Sequence, residues 1–252
     1  MDFLQYTFRA HQLGKIISAS GKLTDGNKTY LKELFTGAIT GTRKEVSSKY
    51  FEKGLFEEES GISLLNNTIY KGKLLTKNKE RKNNGWVQGE CDVIKDSIVY
   101  DIKNAWDVFT FENSALTHEY TWQLKCYMWL WEVTNARLFY CLNNTPEHLL
   151  IAEERKLFYA GNYISMENEE YLSDCEMLRK KHNHDSKPLE ERFKIWDVNL
   201  TAEDIVTIQV AITKAREYLC DLQLDRASRL EYNRNFLLFL NYVRLIQHAR
   251  CI

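Results

Sequence analysis

The residues best able to do chemistry fall between Glu90 and Lys103, in the stretch "GECDVIKDSIVYDIKNAW". Asp101 stands two residues before Lys103 at the end of an apolar run, and a second aspartate, Asp92, lies upstream of that run. Alternate side chains of a strand share a face, so Val99, Asp101 and Lys103 lie on one side and Ile98, Tyr100 and Ile102 on the other. An antiparallel hairpin with an even number of loop residues brings Asp92 to the face of Asp101. A four-residue loop, Lys95 to Ile98, sets the two directly opposite. Carboxylates that close repel unless something holds them, and a divalent cation is the usual remedy. The competing expectation is a solvated hairpin face on which Asp101 and Lys103 form a surface ion pair of little worth. The flanking Trp86 and Trp106 speak against a solvated face. Glu90 shares the face of Asp92 and stands as a substitute ligand.

Two helices flank the hairpin. In "VSSKYFEKGLFEEESGISLLNN", at about 100° per residue, Tyr50, Phe51, Leu55, Ile62 and Leu65 form an apolar stripe with Glu58 at its centre. A carboxylate aimed into a core needs a pairing cation, either a metal or a buried lysine. Glu57 and Glu59 lie on the flanks of the stripe and remain alternatives. Gly54 and Gly61 in this helix each cost about 1 kcal/mol against alanine and permit close packing. After the hairpin, "EYTWQLKCYMWLWEVT" sets Gln123 among Tyr120, Leu124 and Tyr127 at helical spacing. A glutamine on an apolar face must be satisfied, by backbone or by a functional partner.

The remaining elements are a helix from near Asn27 closed by Gly41, a strand "ARLFYCL", a helix from "TPEHLL" with proline in its first turn, and a polar helix over Glu167–His182. A strand "RFKIWDV" follows, then a helix whose Thr201 and Asp204 resemble a capping box, and a last amphipathic helix, "YNRNFLLFLNYVRLIQHA". This order predicts a mixed α/β sheet covered by helices. With two prolines and no Gly/Ser-rich linker, the expectation is one domain over 1–252, its core at about 45–160 and helical additions at 1–44 and 161–252.

A 44% apolar content supports a sizeable core. No signal-peptide pattern opens the chain and no run is apolar enough to span a bilayer, so a cytoplasmic protein without membrane contact is expected. The six cysteines are scattered without a C-x-x-C pair, which argues against zinc ribbons and iron–sulfur clusters. The net charge is −1, so any nucleic-acid contact must come from a local patch. The candidate is "KGKLLTKNKERKNNG", carrying Lys71, Lys73, Lys77, Lys79, Arg81 and Lys82 against Glu80.

A helix glutamate, then "GECD", then "DIK", then a helix with "WQLKCY" resembles the PD-(D/E)XK nuclease superfamily, and within it the lambda-type phage exonucleases, or YqaJ-like viral recombinases, and RecB-like nuclease domains. The likeness covers Ser47 to about Leu142. A glycine four residues before the motif glutamate, here Gly54, is typical of the phage group. The resemblance implies a restriction-endonuclease-like core, a central mixed sheet flanked by helices. It implies that Asp92 and Asp101 bind Mg²⁺ or Mn²⁺, helped by Glu58 and the carbonyl of Ile102. Lys103 would position or activate water and stabilise charge on the scissile phosphate, and Gln123 would orient Lys103 or the phosphate. The activity implied is a metal-dependent, double-strand DNA exonuclease of phage recombination or DNA metabolism, in the host cytoplasm if phage-encoded. Its substrate would be duplex ends and its partner a single-strand annealing protein. Some relatives form ring trimers, but no feature of this sequence specifies a homo-oligomer. A structure- or site-specific endonuclease and an inert DNA- or protein-binding module remain open. Asp101 stands where lambda-type enzymes usually carry glutamate.

Overall fold

The computed structural model describes residues 1–42, 49–72 and 74–249, without the side chains of 49–52, 54–56 and 239–249. Its elements, in order, are β1 (Phe8–Arg9), α1 (Asp25–Thr40), α2 (Lys49–Thr68), β2 (Lys82–Asn83), β3 (Val87–Gly89), β4 (Val93–Lys95) and β5 (Ile98–Asn104). Then come α3 (Val108–Glu112), α4 (His118–Trp131), β6 (Asn135–Cys141), α5 (Glu147–Ala160), α6 (Glu169–His182), β7 (Phe193–Asn199) and α7 (Ala202–Ala249). Short polar side chains set many of the helix ends. Thr24 and Asn27 form a reciprocal capping box on α1, so that helix starts before Asn27, and Gly41 closes it at φ 70°. Thr117 caps α4 and Asn168 caps α6. Thr201 and Asp204 bond reciprocally at the start of α7. The two C-terminal helices expected from the pattern are one continuous helix of 48 residues.

The mixed sheet flanked by helices is present, but the strands make two sheets rather than one. The larger has the order β4-β5-β6-β7, with β5 and β6 parallel and both edge pairings antiparallel. A parallel pair needs a crossover, and α3 and α4 supply it. The smaller sheet, β1-β3-β2, takes up the first part of what reads in sequence as one long hairpin. That hairpin breaks between Gly89 and Val93. A Cβ on Gly89 would lie 2.7 Å from Tyr127 Cε1, so the chain passes against α4 there and cannot continue the β4 ladder.

The turn between β4 and β5 has two residues, Asp96 and Ser97, both at positive φ (49° and 58°), instead of the expected four. The register is nevertheless the one expected. Val93 faces Tyr100, which sets Asp92 and Asp101 opposite each other one step beyond the last pair. Helix α2 covers one face of β5, where Ile62, Leu64 and Leu65 join Tyr100, Ile102 and Phe139 in a buried cluster. Of the predicted stripe, Ile62 and Leu65 are buried, while the side chains of Tyr50, Phe51 and Leu55 lie outside the described residues. Helix α4 lies on the other face, with Leu124, Cys126, Tyr127 and Met128 buried.

By contacts the chain divides into two compact units. One holds both sheets with α2 to α6, and the whole candidate site lies within it. The other holds the first six residues, α1 and α7 from Thr207 on. Within it, Ile208, Ile212, Ala215 and Leu219 form a fully buried stripe on α7. Arg216 donates to the carbonyl of Tyr6 at 2.9 Å. Among the described residues no helix is long and apolar enough to cross a membrane.

Candidate active site

The alternation of β5 decides which side chains meet. Tyr100 and Ile102 point into the α2 core, so Asp101 and Lys103 point toward α4. Asp101 is 1% exposed, and Lys103 Nζ lies 2.8 Å from its Oδ2. From α4, Gln123 Nε2 donates to Asp101 Oδ1 at 3.3 Å and to Tyr127 Oη at 3.1 Å. One turn earlier on α4, the Tyr120 ring lies 5.7 Å from Lys103 Nζ, a cation–π contact. Asp92 reaches the edge of β5 from just before the start of β4, where its Oδ2 accepts the Ile102 N–H at 2.6 Å. The N–H and C=O of one strand residue leave the same edge, so the Ile102 carbonyl also faces the side on which Asp92 sits.

The electrostatics mark this as a place where charge is unbalanced. Burial, with the charge of Asp101 behind it, pushes the Asp92 carboxyl up to about 8, against the pull of Lys103 and the Ile102 N–H. Burial alone would lower the Lys103 ammonium, but the charges of Asp101 and Asp92 outweigh it and hold the group above its ordinary value. Asp101 Oδ2 is a buried oxygen that accepts no hydrogen bond of good geometry, despite the nearby lysine. Two close carboxylates, one with a buried oxygen that among the described residues only Lys103 meets, and a strand-edge carbonyl are hard oxygen donors of the kind Mg²⁺ prefers. Among the described residues no three His, Cys, Asp or Glu side chains converge as a metal cage. This donor set fits a cation that keeps much of its water.

Of the glutamates, Glu58 is the one directed to this place. It lies close enough to Asp92 to help raise its pKa, and it pairs with Lys77 at 2.8 Å. Its cation partner in this structure is thus a lysine from the basic run. Glu57 is buried elsewhere, beside Lys53, Ser60 and His148, with its carboxyl raised by burial. Glu59 and Glu90 are exposed. The basic run passes along the site: Asn78 N donates to the carbonyl of Asp92 at 2.7 Å, and Asn78 Nδ2 to that of Cys91 at 3.0 Å. Lys71, Lys79 and Arg81 are exposed, Lys82 Nζ lies 5.5 Å from the centre of the Trp131 ring, and Lys73 lies outside the described residues. Tyr120 and Tyr127 were legible only as apolar neighbours of Gln123. Their spacing of three and four residues from it was the signal that they share its face. Cys91, Cys126 and Cys141 are buried free thiols, and Cys175 and Cys220 are half-buried ones.

No family model and no curated protein matches the sequence. Among solved structures, a phage-related exonuclease from Haemophilus somnus 129PT superposes with a TM-score of 0.70 at 25% identity, over 88% of this chain and 96% of that one. The chain has a phage-exonuclease fold. An alkaline exonuclease from Laribacter hongkongensis shares the fold at TM-score 0.58 and 12% identity, over 91% of this chain and 95% of that one. The same enzyme in complex with dAMP gives 0.57 and 13%, over 92% and 95%. The resemblance to phage exonucleases drawn from the ordered motifs therefore holds at the level of the fold. With the fold, the comparison carries the helical C-terminal extension that the sequence left without motifs.

Proposed function

We propose that this chain is a metal-dependent deoxyribonuclease that hydrolyses phosphodiester bonds from the ends of duplex DNA, as expected of a phage recombination or DNA-metabolism enzyme. The observation that carries it is the buried Asp92–Asp101 pair with Lys103 against Asp101 Oδ2, set in a phage-exonuclease fold. Asp92, Asp101 and the Ile102 carbonyl would hold Mg²⁺ or Mn²⁺, with Glu58 available once Lys77 leaves it. The bound cation would supply Lewis-acid neutralisation of charge growing on the phosphate. Lys103, held protonated by the two aspartates, places a fixed positive charge where that negative charge develops. From there it would hydrogen-bond the attacking water or a phosphate oxygen. Gln123 fixes the Asp101 carboxylate and is itself fixed by Tyr127. Lys71, Lys77, Lys79, Arg81 and Lys82 would follow the DNA backbone, which positions the substrate without reading its sequence. The dAMP bound by the Laribacter enzyme is the kind of mononucleotide an exonuclease releases, which is consistent with this reading.

The test is a time course on end-labelled linear duplex beside covalently closed circular DNA, with Mg²⁺, Mn²⁺ or EDTA. The expected result is shortening of the linear DNA from its ends, dependent on metal, with the circle intact. Full digestion in EDTA would overturn the reading, and cutting of the circle would replace it with an endonuclease.

A further inference from the structure

A buried lysine, absent from the machinery above, lies on the same helix as Glu58. Lys53 is wholly buried, and its Nζ donates to the carbonyls of Trp106 at 3.1 Å and Asn143 at 2.9 Å and to Thr145 Oγ1 at 2.9 Å. Trp106 lies just past the end of β5, and Asn143 and Thr145 just past the end of β6. One ammonium therefore ties the first half of α2 to the exits of the two central parallel strands. Those exits are joined to each other as well, by Ala105 N to the Cys141 carbonyl at 2.8 Å and Asn143 Nδ2 to Asn104 Oδ1 at 2.8 Å. His182 closes the cluster from α6, its Nδ1 within 3.0 Å of Thr145 Oγ1 and 3.2 Å of the Trp106 carbonyl.

Helix α2 is fixed at a second point further along. A Cβ on Gly61 would sit 2.6 Å from Ile102 Cγ2, so the helix rests directly on the residue whose N–H holds Asp92. Glu58 lies between these two anchors, on a rigid rod rising about 1.5 Å per residue.

We infer that Lys53 is a positioning residue for the nuclease site: its three hydrogen bonds set the placement of α2 on β5 and β6, and with it the position of the Glu58 carboxylate relative to Asp92 and Asp101. The inference rests on the nuclease reading for its consequence, but its geometry does not. A residue of similar length without the ammonium removes the one donor that the Trp106 and Asn143 carbonyls and Thr145 Oγ1 share, and so lets the first half of α2 shift. Groups that orient a metal site from behind typically cost about 10–100-fold in metal affinity when removed.

The experiment pairs Lys53→Met with the milder Thr145→Val, which removes one acceptor and keeps the ammonium. Crystal structures of both variants are compared with the unaltered protein, and Mn²⁺ is titrated calorimetrically. The expected result is a displaced Glu58 and a Mn²⁺ midpoint raised about tenfold or more in Lys53→Met, with a smaller shift of the same sign in Thr145→Val. A purely structural lysine would lower the folded fraction without moving the midpoint of what remains. An undisplaced Glu58 with an unchanged midpoint in either folded variant overturns the inference. Should the unaltered protein bind no Mn²⁺, the nuclease reading fails, and displacement of Glu58 in the variant structures still decides the role of Lys53.

Discussion

Two lysines of the sheet unit, the buried Lys53 and the half-buried Lys103, are treated in opposite ways. Lys103 lies against a carboxylate, keeps its proton above the ordinary value, and is the one partner, among the described residues, of the buried Asp101 oxygen it meets. Lys53 faces neutral acceptors that use its donors fully, and burial pulls it down to about 8 against the more distant charges of Glu57 and Asp107. On the nuclease reading, the difference separates a group kept charged for chemistry from one kept satisfied for position. An unsatisfied, like-charged cluster is costly in a folded protein and persists where a ligand can relieve it. A satisfied cluster needs nothing further.

Removing the charged group is the most direct way to break this comparison. Lys103→Ala should lower the cleavage rate on end-labelled duplex by about 100- to 1000-fold while DNA binding changes little, because a transition-state charge is lost. Cleavage within a few-fold of normal would remove Lys103 from the chemistry and make the two lysines alike.

The next largest effect falls on the packing that both clusters share. Gly61→Ala drives a methyl into Ile102 and should cost about 1–3 kcal/mol, read as a lower urea midpoint at unchanged m. A neutral result would mean that α2 is not pinned to β5 at that point.

Much of this site was legible because it is local. The "DIK" strand, the opposition of Asp92 and Asp101 and the helix carrying Gln123 all follow from periodicities of two and 3.6 within fifty residues. What was hidden depends on contacts between distant segments. Gly89 ends the first part of the hairpin because Tyr127 occupies the space beside it, and β1 joins β3 from the N-terminal segment. Lys53 reads in sequence as one more helix charge, since its acceptors lie 53, 90 and 92 residues away. Glu58 was legible as a carboxylate in need of a cation, but its partner Lys77 sits in a run that looks like a solvated loop. The single helix α7 could have been read, because neither glycine nor proline interrupts the sequence from Thr201 to Ala249.

The protonation of the two lysines gives a finer test. Folded Lys53 holds its proton less tightly than the unfolded chain does, so folding releases protons between about pH 8 and the ordinary 10.5. Its contribution therefore makes stability rise with pH across that window, and the gain is lost as pH falls through about 8. Lys103, raised, contributes with the opposite sign and only above 10.5, since its stabilisation is whole below that value. The titratable groups that face Lys53 are Glu57 on its own helix, Asp107 before α3, and His182 at the end of α6 with His184 just beyond, both imidazoles lowered by burial and so uncharged in this window. Between pH 8 and 10 the unfolding free energy of the unaltered protein minus that of Lys53→Met should rise by about 1 kcal/mol per pH unit at most. A flat difference would show that Lys53 stays charged as firmly as Lys103.

The smallest effect concerns Lys77, the cation paired with Glu58. The pair is partly exposed, with side-chain exposures of 36% for Lys77 and 18% for Glu58, and such pairs are worth about 0.2–1 kcal/mol. Lys77→Met should therefore tighten Mn²⁺ binding by up to about fivefold, since Glu58 no longer has a competing partner. The same change should weaken DNA binding evenly across sequences and reduce its salt slope by about one, as expected for the loss of a phosphate contact. The two readouts move in opposite directions only if Lys77 alternates between Glu58 and the DNA backbone. Weaker DNA binding with unchanged Mn²⁺ affinity would leave Lys77 as a phosphate contact alone and Glu58 outside the metal site. The Asp92–Asp101 pair and the Ile102 carbonyl would then have to hold the cation unaided.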